Sequence, residues 1–284
     1  MQASFDRVGA TPPPFPIILS VPHAGRDYPY DIDKYCQFPS SCLLCLEDRY
    51  ADLLADHAWR AGYSGLVART PRAIIDLNRA EHDLDPAMLT TPTGPPALLS
   101  VKARGGLGLI PRRTAGLGEL WRRRFTPAEV EARITGHHRP YHQALGALVQ
   151  QAMDQFGTAL LLDVHSMPPL PSTSGQQAPQ IVIGDRFGRS AAPVLTEIAC
   201  ATAKQAGFRV ALNAPYAGGH ILDRHGRRDD GIHALQIEVD RQLYLDATLS
   251  EPGAGIDRIK ALIAGIAAEL SRALTNRALP IAAE

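Results

Sequence analysis

Two apolar runs constrain this chain more than anything else in it. "PIILSV", residues 16–21, and "TALLLDV", residues 158–164, are too continuously apolar to be strands with one wet face. A half-wet strand alternates. A run apolar at nearly every position belongs to a strand covered on both faces, as in a parallel or mixed sheet between helical layers. Each run then ends on ionisable groups. The first passes through "SVPHAG" into His23, and the second carries Asp163 and finishes on His165 in "LLLDVHSM". Burying such groups is costly unless they are paired or coordinate a metal. The strand ends therefore raise one question: do the two imidazoles meet?

Further strand-like segments lie at 64–68, 73–77, 180–183, 208–212 and 234–239, with helical patterns at 41–60, 127–155, 188–206 and 255–275. The second of these helices opens with Thr126-Pro127-Ala128-Glu129, an N-cap, a proline at the first helical position and a carboxylate at the third. Strands alternating with helices predict an α/β fold, a three-layer αβα arrangement around a mixed, largely parallel twisted sheet. A length of 284 residues suits one large domain spanning 1–284, and neither a linker nor an internal repeat divides it. The stretch 86–118 is rich in Pro, Gly and Thr and keeps no period, so it reads as a long loop covering an active site.

Composition narrows the function classes. Twenty-nine basic and twenty-nine acidic residues leave no formal net charge, which argues against a nucleic-acid partner. The basic cluster "WRRRF" at 121–125 is followed closely by acidic residues and reads as a solvated loop. No apolar run has the length of a membrane span, and the first residues lack the charged-then-apolar order of a signal peptide, so no membrane partner and a cytoplasmic location are expected. Cys42 and Cys45 form a C-x-x-C with no second pair to complete a structural zinc site, and the four cysteines read as buried, inert thiols.

In open α/β sheets, ligands bind beyond the carboxyl ends of the strands. His23, His165 with Asp163, and Glu238 in "LQIEVD" are placed to reach such a site, while Asp48, next to Glu47, falls on the helical pattern that follows. Two imidazoles and a carboxylate make the ligand set of a hydrolytic zinc site with a fourth position open. A further carboxylate nearby would serve as general base and then as proton donor. A histidine at a strand end is ordinarily a hydrogen-bonded core residue, and His137, His138, His142 and His225 compete for the role. Two other stretches bear chemistry. "RTPRAIIDLNRAEHDLDP", residues 69–86, presents Arg72, Asp76, Asn78 and Arg79, either as a clamp for a carboxylate-bearing substrate or as an Asp76–Arg79 ion pair holding a loop. "NAPYAGGHILDRHG", residues 213–226, reads as a Gly218-Gly219 turn with Tyr216, His220 and Arg224 around it.

Taken in order, "SVPHAG", "EDRYAD", "RAIIDLNR", "GLGLIPR", "RPYHQAL", "LLLDVHSM", "VIGDRFG", "PYAGGHI" and "ALQIEVDRQLY" resemble the N-formylglutamate amidohydrolase (deformylase) family from about residue 16 to 246. The resemblance implies a fold similar to the zinc carboxypeptidases and aspartoacylase. It implies one Zn2+ held by His23, Asp48 and His165, with Glu238 as general base and acid and Arg72 polarising the scissile carbonyl. Asn78 and Arg79 match the pair that grips a substrate carboxylate, with Tyr216, Gly219 and Arg224 as further substrate contacts. The implied reaction is hydrolysis of N-formyl-L-glutamate, a small-molecule substrate, to formate and L-glutamate. The alternatives are hydrolysis of another N-acyl amino acid or small peptide, and a catalytically silent binding protein. One departure stands out. The wider peptidase group places its acidic ligand three residues after the first histidine, where this chain has Arg26, so the acid comes from further on, as Asp48 or the adjacent Glu47.

Overall fold

Every side chain of three strands is buried: β2 (Ile17–Val21), β6 (Ala159–Met167) and β9 (Ile232–Asp240). They form the centre of a seven-stranded sheet in a computed structural model that describes residues 3–91, 99–114, 116–172 and 177–276. With β1 (Phe5–Val8), β3 (Ser64–Ala68), β7 (Ile181–Gly184) and β8 (Val210–Leu212), the sheet order is β1-β3-β2-β6-β9-β7-β8. Strand β6 runs parallel to both β2 and β9, and β7 is parallel to β8 but antiparallel to β9. The fold is a mixed α/β, three-layer one with a mostly parallel sheet, as the continuous apolar runs require. A separate two-stranded hairpin joins β4 (Arg113–Thr114) to β5 (Gly118–Glu119).

The helices are α1 (Ala51–Leu54), α2 (Asp56–Arg60), α3 (Val101–Arg104), α4 (Pro127–Arg133), α5 (Arg139–Phe156), α6 (Pro193–Gln205), α7 (His220–His225) and α8 (Ile256–Thr275). Helix α8 buries Ile259, Leu262, Ile263, Ile266, Leu270 and Leu274, the three-and-four spacing of one face. That face packs on α6, α2, α1 and β2. Helix α4 begins with a full capping box: the Thr126 hydroxyl accepts from the Glu129 N–H while the Glu129 carboxylate accepts from the Thr126 N–H.

Several sequence expectations need correction. Residues 73–77 are buried but form no strand. Ile74 donates its N–H to Pro71 and Asp76 to Leu109, so turns and a loop partner satisfy the backbone. The helical pattern over 41–60 breaks into a 3-10 helix, Ser40–Leu46, and the short α1 and α2, with Glu47 extended and Tyr50 left-handed at φ 56°. The pattern over 127–155 is interrupted by a π-helical turn at Ile134–His138. The Gly218-Gly219 turn leads into a helix, α7, that the turn reading missed. Cys36 is buried, but Cys42 is half-buried and Cys45 exposed, so the thiols are not all core. Within 86–118, residues 92–98 and 115 lie outside the described residues; the remainder contains α3 and the hairpin. Arg122, Arg123 and Arg124 are exposed, as the charge pattern predicts. Among the described residues no helix is long and apolar enough to cross a membrane.

The chain divides into two compact units. One comprises the N-terminal segment to Asp6 with Pro22–Glu47 and Val67–Ala144, the segments that leave β2 and β3 at their C-terminal ends. The other comprises Arg7–Val21, Asp48–Leu66 and Leu145 onward, and holds the central strands.

Candidate metal centre and active site

Register aligns the polar residues of the central strands. Ser20 on β2 pairs with Asp163 on β6, and on β9 Gln236 faces Asp163 while Glu238 faces His165. Because alternate residues of a strand share a face, these five side chains form one polar row in an otherwise apolar sheet. The row is internally bonded. Ser20 Oγ donates to Asp163 Oδ1 at 2.8 Å, the His165 Nε2–H donates to Asp163 Oδ2 at 2.8 Å, and Gln236 Nε2 donates to Glu238 Oε1 at 2.9 Å.

The other nitrogen of His165, Nδ1, lies 3.0 Å from Asp48 Oδ2. Both ring nitrogens thus meet carboxylates. Burial opposes charge on the ring, but Asp163, Asp48 and the nearby Glu238 outweigh it and hold the imidazole well above its usual pKa. Asp48 sits just past the 3-10 helix, at the break in the helical pattern, and is 2% exposed. Arg241 Nη2 donates to its second oxygen at 3.1 Å. Glu47, the alternative acid, is fully buried and accepts from the Tyr28 hydroxyl at 2.7 Å.

His23 repeats the pattern. Its Nε2 lies 2.8 Å from Asp76 Oδ1, and Asp76 is completely buried. Burial alone would raise the Asp76 pKa, yet Arg72, His23 and Arg79 hold it well below the usual carboxylate range. An ionised carboxylate only accepts hydrogen bonds, so the His23 Nε2–H donates to Asp76 Oδ1. The turn holding His23 needs Gly25, since a Cβ there would come within 2.1 Å of the Thr70 carbonyl oxygen.

The ligand atoms of His23, Asp48 and His165 all lie within 4.8 Å of one another, and all three residues are buried. The donor set fits a divalent ion such as zinc: two imidazoles and one carboxylate, with each imidazole oriented through its far nitrogen by a buried carboxylate. Asp76 and Asp163 are the orienting residues. Sequence reading noted both without assigning either this role. Asp163 could have been found from its spacing, two residues before His165 on the same strand face. Asp76 lies 53 residues from His23, and no local signal connects them.

The remaining candidates divide. Arg72 Nε donates to Asp76 Oδ2 at 2.8 Å, and the Asn78 N–H to Asp76 Oδ1 at 2.8 Å. Arg79 is 6% exposed; its Nε donates to the Leu107 carbonyl and its Nη1 to the Asn78 carbonyl, while the Nη2 has no hydrogen-bond partner among the described residues. Its closest nitrogen stands 3.9 Å from Asp76 Oδ2, a looser ion pair than the one Arg72 makes. Tyr216 and Gly219 are half-buried on the segment entering α7, and Arg224 is exposed on that helix. Two of the competing histidines hold backbone, although with His220 they also form a second group that could hold a metal ion. His138 and His142 turn Nε2 to the carbonyls of Arg79 and Leu77, at 2.8 and 2.9 Å, and so hold the backbone on either side of Asn78.

The family model described as N-formylglutamate amidohydrolase matches residues 15–245. The N-formylglutamate deformylase of Pseudomonas putida is 30% identical over 245 residues, covering 82% of this chain and 83% of that one. Its namesake from Pseudomonas aeruginosa is 29% identical over 240 residues, covering 81% and 82%. The crystal structure of N-formylglutamate amidohydrolase from Ralstonia eutropha JMP134 superposes with a TM-score of 0.87 at 31% identity, covering 98% of this chain and 100% of that one. A gene product of Agrobacterium tumefaciens, at a TM-score of 0.61 and 16% identity, shares the fold.

Proposed function

The chain belongs to the N-formylglutamate amidohydrolase family, and we propose that it hydrolyses the amide bond of N-formyl-L-glutamate to formate and L-glutamate. The observation that carries this reading is the buried convergence of His23, Asp48 and His165, whose ligand atoms all lie within 4.8 Å of one another. Zinc bound there would supply a Lewis acid for the formyl oxygen and lower the pKa of a water molecule towards neutrality.

The protein's own groups do the rest. Glu238, in register with His165 and with one oxygen held by Gln236, is assigned the proton of the attacking water. As the oxygen–carbon bond forms, the carboxylate takes that proton. As the carbon–nitrogen bond breaks, it returns the proton to the departing amine, so one carboxylate serves both steps. Arg72, anchored through Nε by Asp76, is assigned to the developing oxyanion. Asn78 and the Nη2 of Arg79 are assigned to a substrate carboxylate; a buried guanidinium nitrogen that ends on no acceptor among the described residues favours an anionic ligand. Tyr216, Gly219 and Arg224 are assigned to the distal end of the substrate.

The test is formate release from N-formyl-L-glutamate by purified protein, before chelation, after it and with zinc restored. Release that disappears with the metal and returns with zinc is expected. Zinc-loaded protein that releases no formate from this substrate overturns the substrate assignment.

A further inference from the structure

A carboxylate ligand has two oxygens, and something must decide which of them meets the metal. At Asp48 the choice is already made. Oδ2 faces His165 Nδ1 at 3.0 Å, while Oδ1 accepts from Arg241 Nη2 at 3.1 Å. The ion pair joins residues 193 apart in the chain and is part-buried, with side-chain exposures of 12% for Arg241 and 3% for Asp48. Arg241 is itself held. Its Nε donates to Ser166 Oγ at 3.1 Å, the residue directly after His165 on β6. It opens the 3-10 turn Arg241–Leu243 that ends β9, and the Asp240 carboxylate caps that turn by accepting from the Gln242 N–H at 2.9 Å.

We propose that Arg241 is a positioning residue for the metal centre: it claims Asp48 Oδ1, fixes Asp48 as a one-oxygen ligand through Oδ2, and ties that carboxylate to the His165 strand through Ser166. This rests on the metal reading of His23, Asp48 and His165. Two physical effects follow. Holding Oδ1 prevents the carboxylate from rotating or chelating with both oxygens, so the ligand enters the site already oriented. The permanent guanidinium charge also offsets part of the negative charge of the Asp48 carboxylate it pairs with. Lysine would restore the charge but not the fork that reaches Asp48 and Ser166 together.

The experiment titrates metal-free wild type, Arg241→Gln and Arg241→Lys with zinc against a competing chromogenic chelator. Melting temperatures of the metal-free proteins confirm folding. Outer partners of metal ligands typically affect affinity by about 10–100-fold, so Arg241→Gln is expected to lose that much, with Arg241→Lys in between. Cobalt(II) substituted for zinc should give a visible spectrum that changes in Arg241→Gln, which a general loss of stability would not produce. Folded variants that bind zinc within about twofold of wild type, with the wild-type cobalt spectrum, overturn the role of Arg241. Should Arg241→Gln fail to fold, Arg241→Lys alone decides by the same criterion. A wild type that binds no zinc overturns the metal reading instead, and the role of Arg241 with it.

Discussion

Histidine has two ring nitrogens, and at both strand ends this protein commits one of them to a buried carboxylate: His23 to Asp76 and His165 to Asp163. The pairing sets the orientation of each ring and makes the other nitrogen the donor. At this scale the sequence was informative about residue types. His23 and His165 stand out because ionisable groups at the ends of fully apolar strands need a partner, and the acid at 47 or 48 is what the family resemblance implies. It left Glu47 and Asp48 equivalent, and the difference is where each side chain ends: Glu47 on Tyr28, Asp48 on His165. Glu238 was legible from β9 alone, but its place opposite His165 follows from strand register. Replacing it tests its role. Glu238→Gln keeps the size and the contact with Gln236 but cannot carry a proton, so turnover should fall about 10²–10⁴-fold while zinc stoichiometry stays unchanged. An unaltered rate would remove Glu238 from the reaction.

Among the elements, those with the strongest physical requirement were the most readable. A strand covered on both faces must be apolar throughout, so β2 and β6 announce themselves, and the three-and-four spacing of α8 does the same for a helix face. Local end signals were equally direct. Thr126-Pro127-Ala128-Glu129 forms the capping box its spacing implies. Thr126→Ala should therefore lower stability by about 1 kcal/mol, measured from urea midpoints, with little change in zinc affinity. A loss near zero would mean that the neighbouring contacts alone hold the start of α4. Residues 73–77 misled for a physical reason. Burial explains their apolar character, but whether a buried segment joins a sheet depends on a free strand edge, and here the partner is the Leu109 carbonyl on a loop. The break at 47–50 was hidden because its apolar stripe stays helical in spacing while the backbone does not.

For the whole molecule, the balanced charge leaves pH dependence to individual buried groups. His225 is an example: burial first, then the nearby Arg224, His220 and Arg227, push its pKa down to about 3. An unfolded histidine takes up its proton near 6.5, so below that pH the unfolded chain binds more protons than the folded one and folding weakens. The window runs from about 6.5 down to about 3, with stability full above it and lost as pH falls through it. Between pH 7 and pH 5 this one group should remove roughly 2 kcal/mol. A His225→Gln protein should lack that component, so the stability difference between wild type and variant should change with pH over this range. Parallel stability curves would show that His225 is not held neutral. His165 works in the opposite direction, because its raised pKa favours folding at low pH and that contribution is lost as pH rises.

By itself the sequence determined the three-layer α/β class, the central strands, the start of α4 and the residue types available to a metal, because each is imposed by burial or backbone chemistry acting over a few residues. It also carried the resemblance from about residue 16 to 246, which fixed the family. Only the tertiary structure decided which of two adjacent acids joins the histidines, that Asp76 orients His23, and which oxygen of Asp48 Arg241 takes. Those contacts span 53, 117 and 193 residues of chain. They depend on strand register and on the approach of distant segments, and no periodicity within a single element encodes either.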